Sequence, residues 1–159
     1  MSPRSHPEGS TPAPAIAMTY EPVIGLEIHA ELKTRTKMFC GSLNDPNETR
    51  PNVNVCPVCM GHPGTLPVIN RSAVEKVIRV GLSLSGAIAP HTHFERKNYF
   101  YPDLPKGYQI SQYARPLSSG GWLEVTNAAG ETTRIRIRRV HLEEDTGRSI
   151  HDPKTKTTL

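Results

Sequence analysis

Residues 33–70 are the part of the chain that most restricts how it can fold. Turn-forming residues recur through this stretch, among them Asn44-Asp45-Pro46, Pro63-Gly64 and Pro67. A loop of this length inside a compact domain needs something to hold it, and the three cysteines all fall within it: Cys40, Cys56 and Cys59. An odd number of cysteines, two of them spaced as C-P-V-C, favours a reducing compartment with a metal or free thiols over a disulfide framework.

The segment before this loop, residues 22–32, has the alternation of a β-strand. In V-I-G-L-E-I-H-A-E-L the apolar residues occupy every second position, and Glu27, His29 and Glu31 lie between them. Two carboxylates and an imidazole on one strand face are ligand types that hold a divalent cation. The pattern therefore predicts a strand whose polar face is either a metal site or an ordinary solvated surface.

Residues 70 to about 87 are predicted to form the clearest helix. Asn70 can serve as the N-cap, and Ser72 and Glu75 have the spacing of a capping box. Apolar residues then recur at helical intervals. Gly86 and Pro90 are expected to end the helix.

Four of the five tyrosines lie in residues 97–113. This segment is predicted to be either a binding surface or a half-buried loop that uses the apolar body and polar tip of tyrosine. Two strands are predicted further on, Trp122 to Val125 and Thr133 to Leu142, around a turn at 127–130. The second carries arginines that can meet phosphates or simply face solvent: Arg134, Arg136 and Arg138.

An acidic cluster follows in H-L-E-E-D-T-G-R, residues 141–148. Such a run is usually surface decoration, but this one repeats the ligand types of Glu27 and His29. The sequence then ends in H-D-P-K-T-K-T-T-L without a cap or closing element. We therefore expect the polypeptide to be a fragment of something longer.

The length of 159 residues suits one domain. Residues 1–19, rich in Pro, Ser and Ala, are predicted to be a disordered leader. No apolar run approaches the length needed to cross a bilayer, and the N-terminus lacks the apolar stretch of a secretory signal. The formal charge of +4 is compatible with a nucleic-acid partner without requiring one.

Five segments, taken in order, resemble the B subunit of the aspartyl/glutamyl-tRNA amidotransferase family. They are V-I-G-L-E-I-H-A-E-L, K-M-F-C, N-V-C-P-V-C-M-G-H-P-G-T-L-P-V-I-N, K-N-Y-F-Y-P-D-L-P-K-G-Y-Q-I-S-Q and H-L-E-E-D-T-G. The resemblance covers residues 20–159. It implies an incomplete α+β catalytic domain, with a largely antiparallel sheet and few helices. This cradle domain is similar to the glutamine synthetase and guanidino kinase group, with a cysteine knuckle inserted at 38–64.

The resemblance also implies a glutamine-hydrolysing carbon–nitrogen ligase. ATP phosphorylates the side-chain carboxylate of Glu or Asp on a misacylated tRNA. Ammonia, released from glutamine by the A subunit, then displaces the phosphate to give Gln-tRNA or Asn-tRNA. The implied cofactors are ATP and Mg²⁺. The implied partners are the A and C subunits in a heterotrimer and the misacylated tRNA, in a bacterial cytoplasm or a eukaryotic organelle and without a membrane.

The site residues follow from the same resemblance. Glu27, His29 and Glu144 are the expected catalytic residues. Mg²⁺ is assigned to these three with Glu143 as an alternative ligand, and Lys97 is assigned to the ATP site or the ammonia path. If the strand alternation continues through 141–145, Glu143 shares a face with His141 and Glu144 points away, unless a bulge or turn reverses this.

Many family members hold a structural zinc with C-x-C followed by C-P-x-C. Here Ser42 stands in place of the second cysteine, and a hydroxyl is a poor zinc ligand. Either Asp45 or His62 then completes a site built on the three thiolates, or the knuckle holds no metal.

Two other functions remain open at this level. One is a non-catalytic, cysteine-stapled module that binds RNA through its arginines and tyrosines, and the other is a truncated product without activity of its own. The paired acidic clusters favour the enzyme, because a pure RNA binder gains nothing from carboxylates near phosphates.

Overall fold

A computed structural model describes residues 20–147 and 151–158. The predicted leader, residues 1–19, lies outside the described residues. The chain divides into two units, Met1–Ala30 and Glu31–Leu159, and each is described by itself.

The described part of the first unit, residues 20–30, contains no helix or strand. The predicted strand at 22–32 is therefore wrong for this structure. Its apolar side chains are largely exposed, with Ile24 at 85%, Leu26 at 85% and Ile28 at 88%. The physical reason is that alternation defines an apolar face but does not supply the neighbouring strand whose hydrogen bonds make a segment a strand.

The helix α1, Arg71–Ser83, confirms the helix prediction and begins where Asn70 caps it. The Asn70 carboxamide oxygen accepts from the backbone N–H of Ser72 at 2.9 Å. The capping box does not form, because Asn70 takes the N-cap position and the Glu75 carboxylate instead pairs with Arg71 at 2.8 Å.

The helix ends earlier than predicted, in a Schellman motif. The N–H of Gly86 donates to the carbonyl of Gly81 at 2.8 Å, and the N–H of Ser85 donates to the carbonyl of Leu82 at 3.0 Å. Ser85 takes the left-handed conformation, with φ of 57°.

The strands of the second unit are short and antiparallel. β1 (Ala87–Ile88), β4 (Ser118–Ser119) and β7 (Arg139–Val140) form a three-stranded sheet in the order β1-β4-β7. β2 (Glu95–Asn98) pairs with β3 (Tyr108–Ser111), β5 (Trp122–Thr126) with β6 (Thr132–Arg136), and β8 (His151–Asp152) with β9 (Thr157–Thr158). One helix with small antiparallel sheets is compatible with the predicted α+β class.

The segment 97–113 is a β-hairpin rather than a loop throughout, because β2 and β3 flank a tip at 99–107. The two strands predicted around 127–130 do form a hairpin, but the second ends at Arg136 instead of Leu142, because Arg139–Val140 pairs with β4 as the separate strand β7. β5 and β6 align Trp122 with Arg136 and Glu124 with Arg134, around the turn that ends at Gly130. Every residue of β5 and β6 is exposed to solvent.

The core packs one face of α1 against the strands and the acidic segment. Ala73, Val77, Leu117 and Leu142 are buried together. Partly buried side chains surround them: Leu32, Met38, Val74, Ile78, Phe94 and Val140. Because Leu142 is only 2% exposed, the core directly fixes the backbone between His141 and Glu143.

Within the part of the chain that the structure describes, no helix is long and apolar enough to cross a membrane.

Candidate active site and cysteine cluster

The acidic segment 141–145 is held against β3 and the residue after it. The side-chain amide oxygen of Gln112 accepts from the N–H of Leu142 at 3.1 Å. The N–H of Glu144 donates to the carbonyl of Ile110 at 2.8 Å, and the Gln109 side chain donates to the carbonyl of Glu144 at 2.7 Å. These bonds fix where the two glutamate side chains project.

Glu143 projects toward His141 and Ser111. Its carboxylate accepts from the Ser111 hydroxyl at 3.0 Å and lies 3.9 Å from Nε2 of His141. The side chain is 25% exposed, so this carboxylate is fixed and still reachable from solvent. The predicted sharing of a face by His141 and Glu143 is therefore present in the structure.

Glu144 projects to the other side and is already engaged. Its carboxylate forms an ion pair with the ammonium of Lys106 and accepts from the N–H of Ile110 at 3.1 Å. The two charged side chains are 6% and 15% exposed, for Lys106 and Glu144 respectively. In this geometry Glu143 is more accessible to a cation than Glu144, although the resemblance favoured Glu144.

Two further groups belong to this acidic surface: Tyr99, from the tyrosine-rich segment 97–113, and Asp103, which the sequence did not single out. Burial first, and then the charges of Asp103, Glu143 and Glu144, raise the pKa of Tyr99. Oδ1 of Asp103 is buried without a hydrogen-bond partner among the described residues, whereas its Oδ2 accepts from the hydroxyl of Thr146 at 3.3 Å.

This donor set suits a hard divalent cation, because it consists of carboxylate oxygens and an imidazole and one carboxylate oxygen lacks a donor. The ligand atoms are not gathered as tightly as a complete site requires. Among the described residues, no three carboxylate or histidine ligand atoms lie within 4.8 Å of one another. The second unit therefore offers ligands for Mg²⁺ rather than a closed cage.

Lys97, the predicted ATP-site residue, lies on β2 opposite Gln109. Its side chain is exposed, and Nζ lies 5.5 Å from the centre of the Tyr99 ring. Lys97 therefore lies beside Tyr99, the tyrosine whose pKa the acidic side chains raise.

Glu27 and His29 belong to the first unit. Oε1 of Glu27 lies 3.6 Å from Nε2 of His29, and the two side chains are 80% and 73% exposed. The two side chains therefore lie close together in a segment without helix or strand, and their role as Mg²⁺ ligands stays a prediction.

The three cysteines come together from two turns of the second unit. Cys40, Cys56 and Cys59 are free thiols whose sulfur atoms all lie within 4.8 Å of one another. The Cys56 and Cys59 sulfurs are 3.9 Å apart. Thiolates around a tetrahedral zinc ion, with Zn–S bonds of about 2.3 Å, lie about 3.8 Å apart. The residues present therefore fit zinc.

Ser42 lies beside all three thiols. Its hydroxyl oxygen is 4.0 Å from the Cys59 sulfur. A hydrogen bond from this hydroxyl, followed by one from the backbone N–H of Cys59, lowers the pKa of Cys56 to about 6. Burial raises the pKa of Cys40 despite its own hydrogen bonds to Ser42.

The two residues expected to complete the site are not part of the cluster. Within residues 20–147 and 151–158, no histidine, aspartate or glutamate ligand atom joins the three sulfurs within 4.8 Å, so Asp45 and His62 are both outside it. Asp45 instead accepts from the backbone N–H of Asn47 at 2.9 Å.

Comparison with known proteins identifies the family. The domain family described as the GatB/GatE catalytic domain matches residues 22–159. The chain belongs to the GatB/GatE catalytic domain family. The cysteine cluster and the acidic segment 141–145 both lie inside the region of the match.

The curated relatives compared with the chain are all B subunits of the aspartyl/glutamyl-tRNA(Asn/Gln) amidotransferase. The chain is 57% identical over 136 residues to the B subunit of the aspartyl/glutamyl-tRNA(Asn/Gln) amidotransferase of Thermodesulfovibrio yellowstonii, covering 86% of this chain and 28% of the relative. It is 60% identical over 134 residues to the corresponding B subunit of Thermomicrobium roseum, covering 84% of this chain and 28% of the relative. The chain thus spans less than a third of the length of these GatB/GatE proteins.

Proposed function

We propose that the chain supplies part of the catalytic domain of the B subunit of a tRNA-dependent amidotransferase. Its substrates are then Glu-tRNA(Gln) or Asp-tRNA(Asn), ATP and ammonia. Family membership and the names of the curated relatives support this proposal. The same proposal assigns A and C subunits as partners and a glutamine synthetase-like cradle as the fold of the complete domain.

The proposed reaction has two steps. A side-chain carboxylate oxygen of the tRNA-bound amino acid attacks the γ-phosphorus of ATP, the bond to the ADP oxygen breaks, and an acyl phosphate forms. Ammonia from glutamine then attacks the acyl carbon. Inorganic phosphate leaves, a proton is lost, and the side-chain amide is formed.

The protein must stabilise negative charge while two anions approach each other. Bound Mg²⁺ would neutralise charge on the phosphate oxygens. In the second unit we assign its protein ligands to Glu143 and His141, and the family resemblance separately assigns Glu27 and His29 of the first unit. Glu144 is the alternative ligand, and Lys97 is the proposed cation for the ATP phosphates.

The observation that carries the proposal most directly is the placement of Glu143. Its backbone is tied to β3 through the bridge with Ser111, and its carboxylate is fixed while 25% of the side chain remains exposed. A carboxylate that is fixed by its backbone and still reachable from solvent can accept a cation with little further ordering.

The test uses a full-length B subunit that carries this segment, assembled with its A and C subunits. Glu143→Gln and Glu27→Gln are compared with Glu124→Gln, which alters an exposed carboxylate on the β5–β6 hairpin. We expect each ligand variant to lose on the order of 100-fold in ATP-dependent phosphorylation of the misacylated tRNA, equivalent to about 2.7 kcal/mol of barrier. Binding of the tRNA should stay nearly unchanged, and Glu124→Gln should match the parent.

Unchanged phosphorylation in Glu143→Gln or Glu27→Gln would reject that residue as a ligand. A parent complex that forms no phosphorylated intermediate and no amidated tRNA would reject the function itself.

We also propose that Cys40, Cys56 and Cys59 hold a structural zinc ion that staples residues 38–64. The spacing of their sulfurs supports this, and zinc would join two turns in a segment, 38–64, where only Phe39 has a buried apolar side chain. Elemental analysis of the purified protein tests it directly, because a zinc content near zero rejects the site.

A further inference from the structure

We propose that Ser42 leaves the fourth position of this zinc site open to an exchangeable ligand. The ion is then held by three thiolates and one water or external donor instead of by a closed set of protein ligands. This inference rests on the proposed zinc site, and its test separates the failure of either one.

The geometry of the first turn places Ser42 at that position. Residues 36–43 form a tight turn, closed by the bridge between Thr36 and Leu43 and by the N–H of Lys37 donating to the carbonyl of Ser42 at 2.9 Å. Cys40 and Ser42 are both on this turn, so each can reach the cluster.

The second turn supplies the other two thiols. It is closed by the N–H of Met60 donating to the carbonyl of Cys56 at 3.0 Å, and by the N–H of His62 donating to the carbonyl of Pro57 at 2.9 Å. The backbone N–H of Cys56 donates to the sulfur of Cys59 at 3.1 Å, which orients this sulfur toward the cluster.

The hydroxyl of Ser42 lies beside the three sulfurs but cannot serve as the fourth zinc ligand. It contacts the Cys59 sulfur at 4.0 Å and hydrogen-bonds to Cys56. A neutral hydroxyl does not replace a thiolate, because zinc sites are built from Cys, His, Asp and Glu ligands. No histidine or carboxylate ligand atom of the described residues joins the cluster to take its place.

An open fourth position changes what the site can do. Closed four-ligand sites serve structure, whereas three protein ligands and a water leave a coordination position that another donor can occupy. We therefore expect the fourth ligand to exchange with solution, so that small thiols or imidazole bind the ion directly.

The experiment compares the parent 159-residue chain with Ser42→Cys and Ser42→Ala, each loaded with Co²⁺ as a spectroscopic substitute for zinc. Ser42→Cys closes the site with a fourth thiolate, and Ser42→Ala removes the hydroxyl while leaving the position open. Circular dichroism of α1 verifies that each variant is folded.

We expect the sulfur-to-cobalt charge-transfer absorption of Ser42→Cys to exceed that of the parent by about a third, since four thiolates replace three. Added imidazole should shift the visible Co²⁺ bands of the parent and of Ser42→Ala, but not those of Ser42→Cys. Release of zinc to a chelator should be slower in Ser42→Cys by on the order of 10- to 100-fold.

The inference would be overturned if imidazole did not shift the visible Co²⁺ bands of the parent and its charge-transfer absorption equalled that of Ser42→Cys, because a fourth protein ligand would then be present. Metal binding by Ser42→Cys alone would also overturn it, since three thiolates would then be insufficient. Failure of all three proteins to bind Co²⁺ or zinc would reject the zinc site itself.

Discussion

The ion pair between Lys106 and Glu144 should be among the most costly polar contacts to break in this protein. Lys106 is 6% exposed and Glu144 is 15% exposed, so neither charge can be rehydrated without disturbing the fold. In Lys106→Met the Glu144 carboxylate keeps only one of its bonds, the one from the N–H of Ile110 at 3.1 Å. Removing one partner of a buried pair typically costs about 3–5 kcal/mol.

We place the expected loss at the lower end of this range, about 3 kcal/mol, because the Ile110 amide and partial exposure still stabilise the remaining charge. A domain with about 5–15 kcal/mol of stability would lose a large share of it. The free energy of unfolding should be measured by urea titration, with the circular dichroism of α1 as the signal.

A double-mutant cycle isolates the pair from the packing of each side chain. Glu144→Gln and the double variant complete the cycle, and the double variant should be more stable than the sum of the single losses predicts. Arg71→Met is the matched control. It removes an exposed i,i+4 ion pair with Glu75, and the guanidinium side chain is 92% exposed, so we expect a loss of only about 0.3–0.5 kcal/mol.

Additive losses, equal within about 0.5 kcal/mol, would show that the two charges do not stabilise each other and would refute this reasoning. A loss in Lys106→Met as small as in Arg71→Met would refute it as well.

Two more predictions follow from local geometry. In metal-free protein, iodoacetamide should alkylate Cys56 with a pH midpoint near 6, and Ser42→Ala should raise that midpoint. Because folding lowers the pKa of this thiol, the ionised Cys56 stabilises the folded state at pH values above the pKa of the unfolded thiol. That stabilisation is lost as the pH falls through about 6. Peptide mass spectrometry measures the midpoint, and one near the ordinary thiol value of about 8.5 would contradict the prediction. Asn70→Ala should lower the free energy of unfolding by about 2 kcal/mol, because Asn70 caps α1 and also donates to the carbonyl of Thr36 at 3.1 Å. Ser72→Ala is the control in the same urea titration, and equal losses would reject the role of Asn70.

The elements that the sequence predicted well are those whose causes are local. Asn70 and the helical spacing after it define the start of α1, and the turn before Gly130 defines the β5–β6 hairpin. The segment 22–32 failed as a strand because strand formation depends on a partner that its own residues do not specify.

In the candidate site, too, local features could be predicted from the sequence and long-range contacts could not. The C-P-V-C spacing already places Cys56 and Cys59 together, and the structure adds Cys40 from another turn. Lys106 had no signal of its own, because its partner Glu144 lies 38 positions further along the chain. The buried oxygen of Asp103 was equally invisible, since burial of a single atom depends on the packing of several segments.

The acidic segment joins core packing to the candidate chemistry through simple alternation. Leu142 packs in the core and the Glu144 carboxylate pairs with Lys106, so the side chains of these two alternate residues are both held by the protein interior. The intervening residues, His141 and Glu143, then project together to the other side, 3.9 Å apart. A ligand held this way loses little freedom when it binds a cation, because the core has already ordered its backbone. The residues that determine ligand geometry at Glu143 are therefore Leu142 and Lys106, which need not touch the cation themselves.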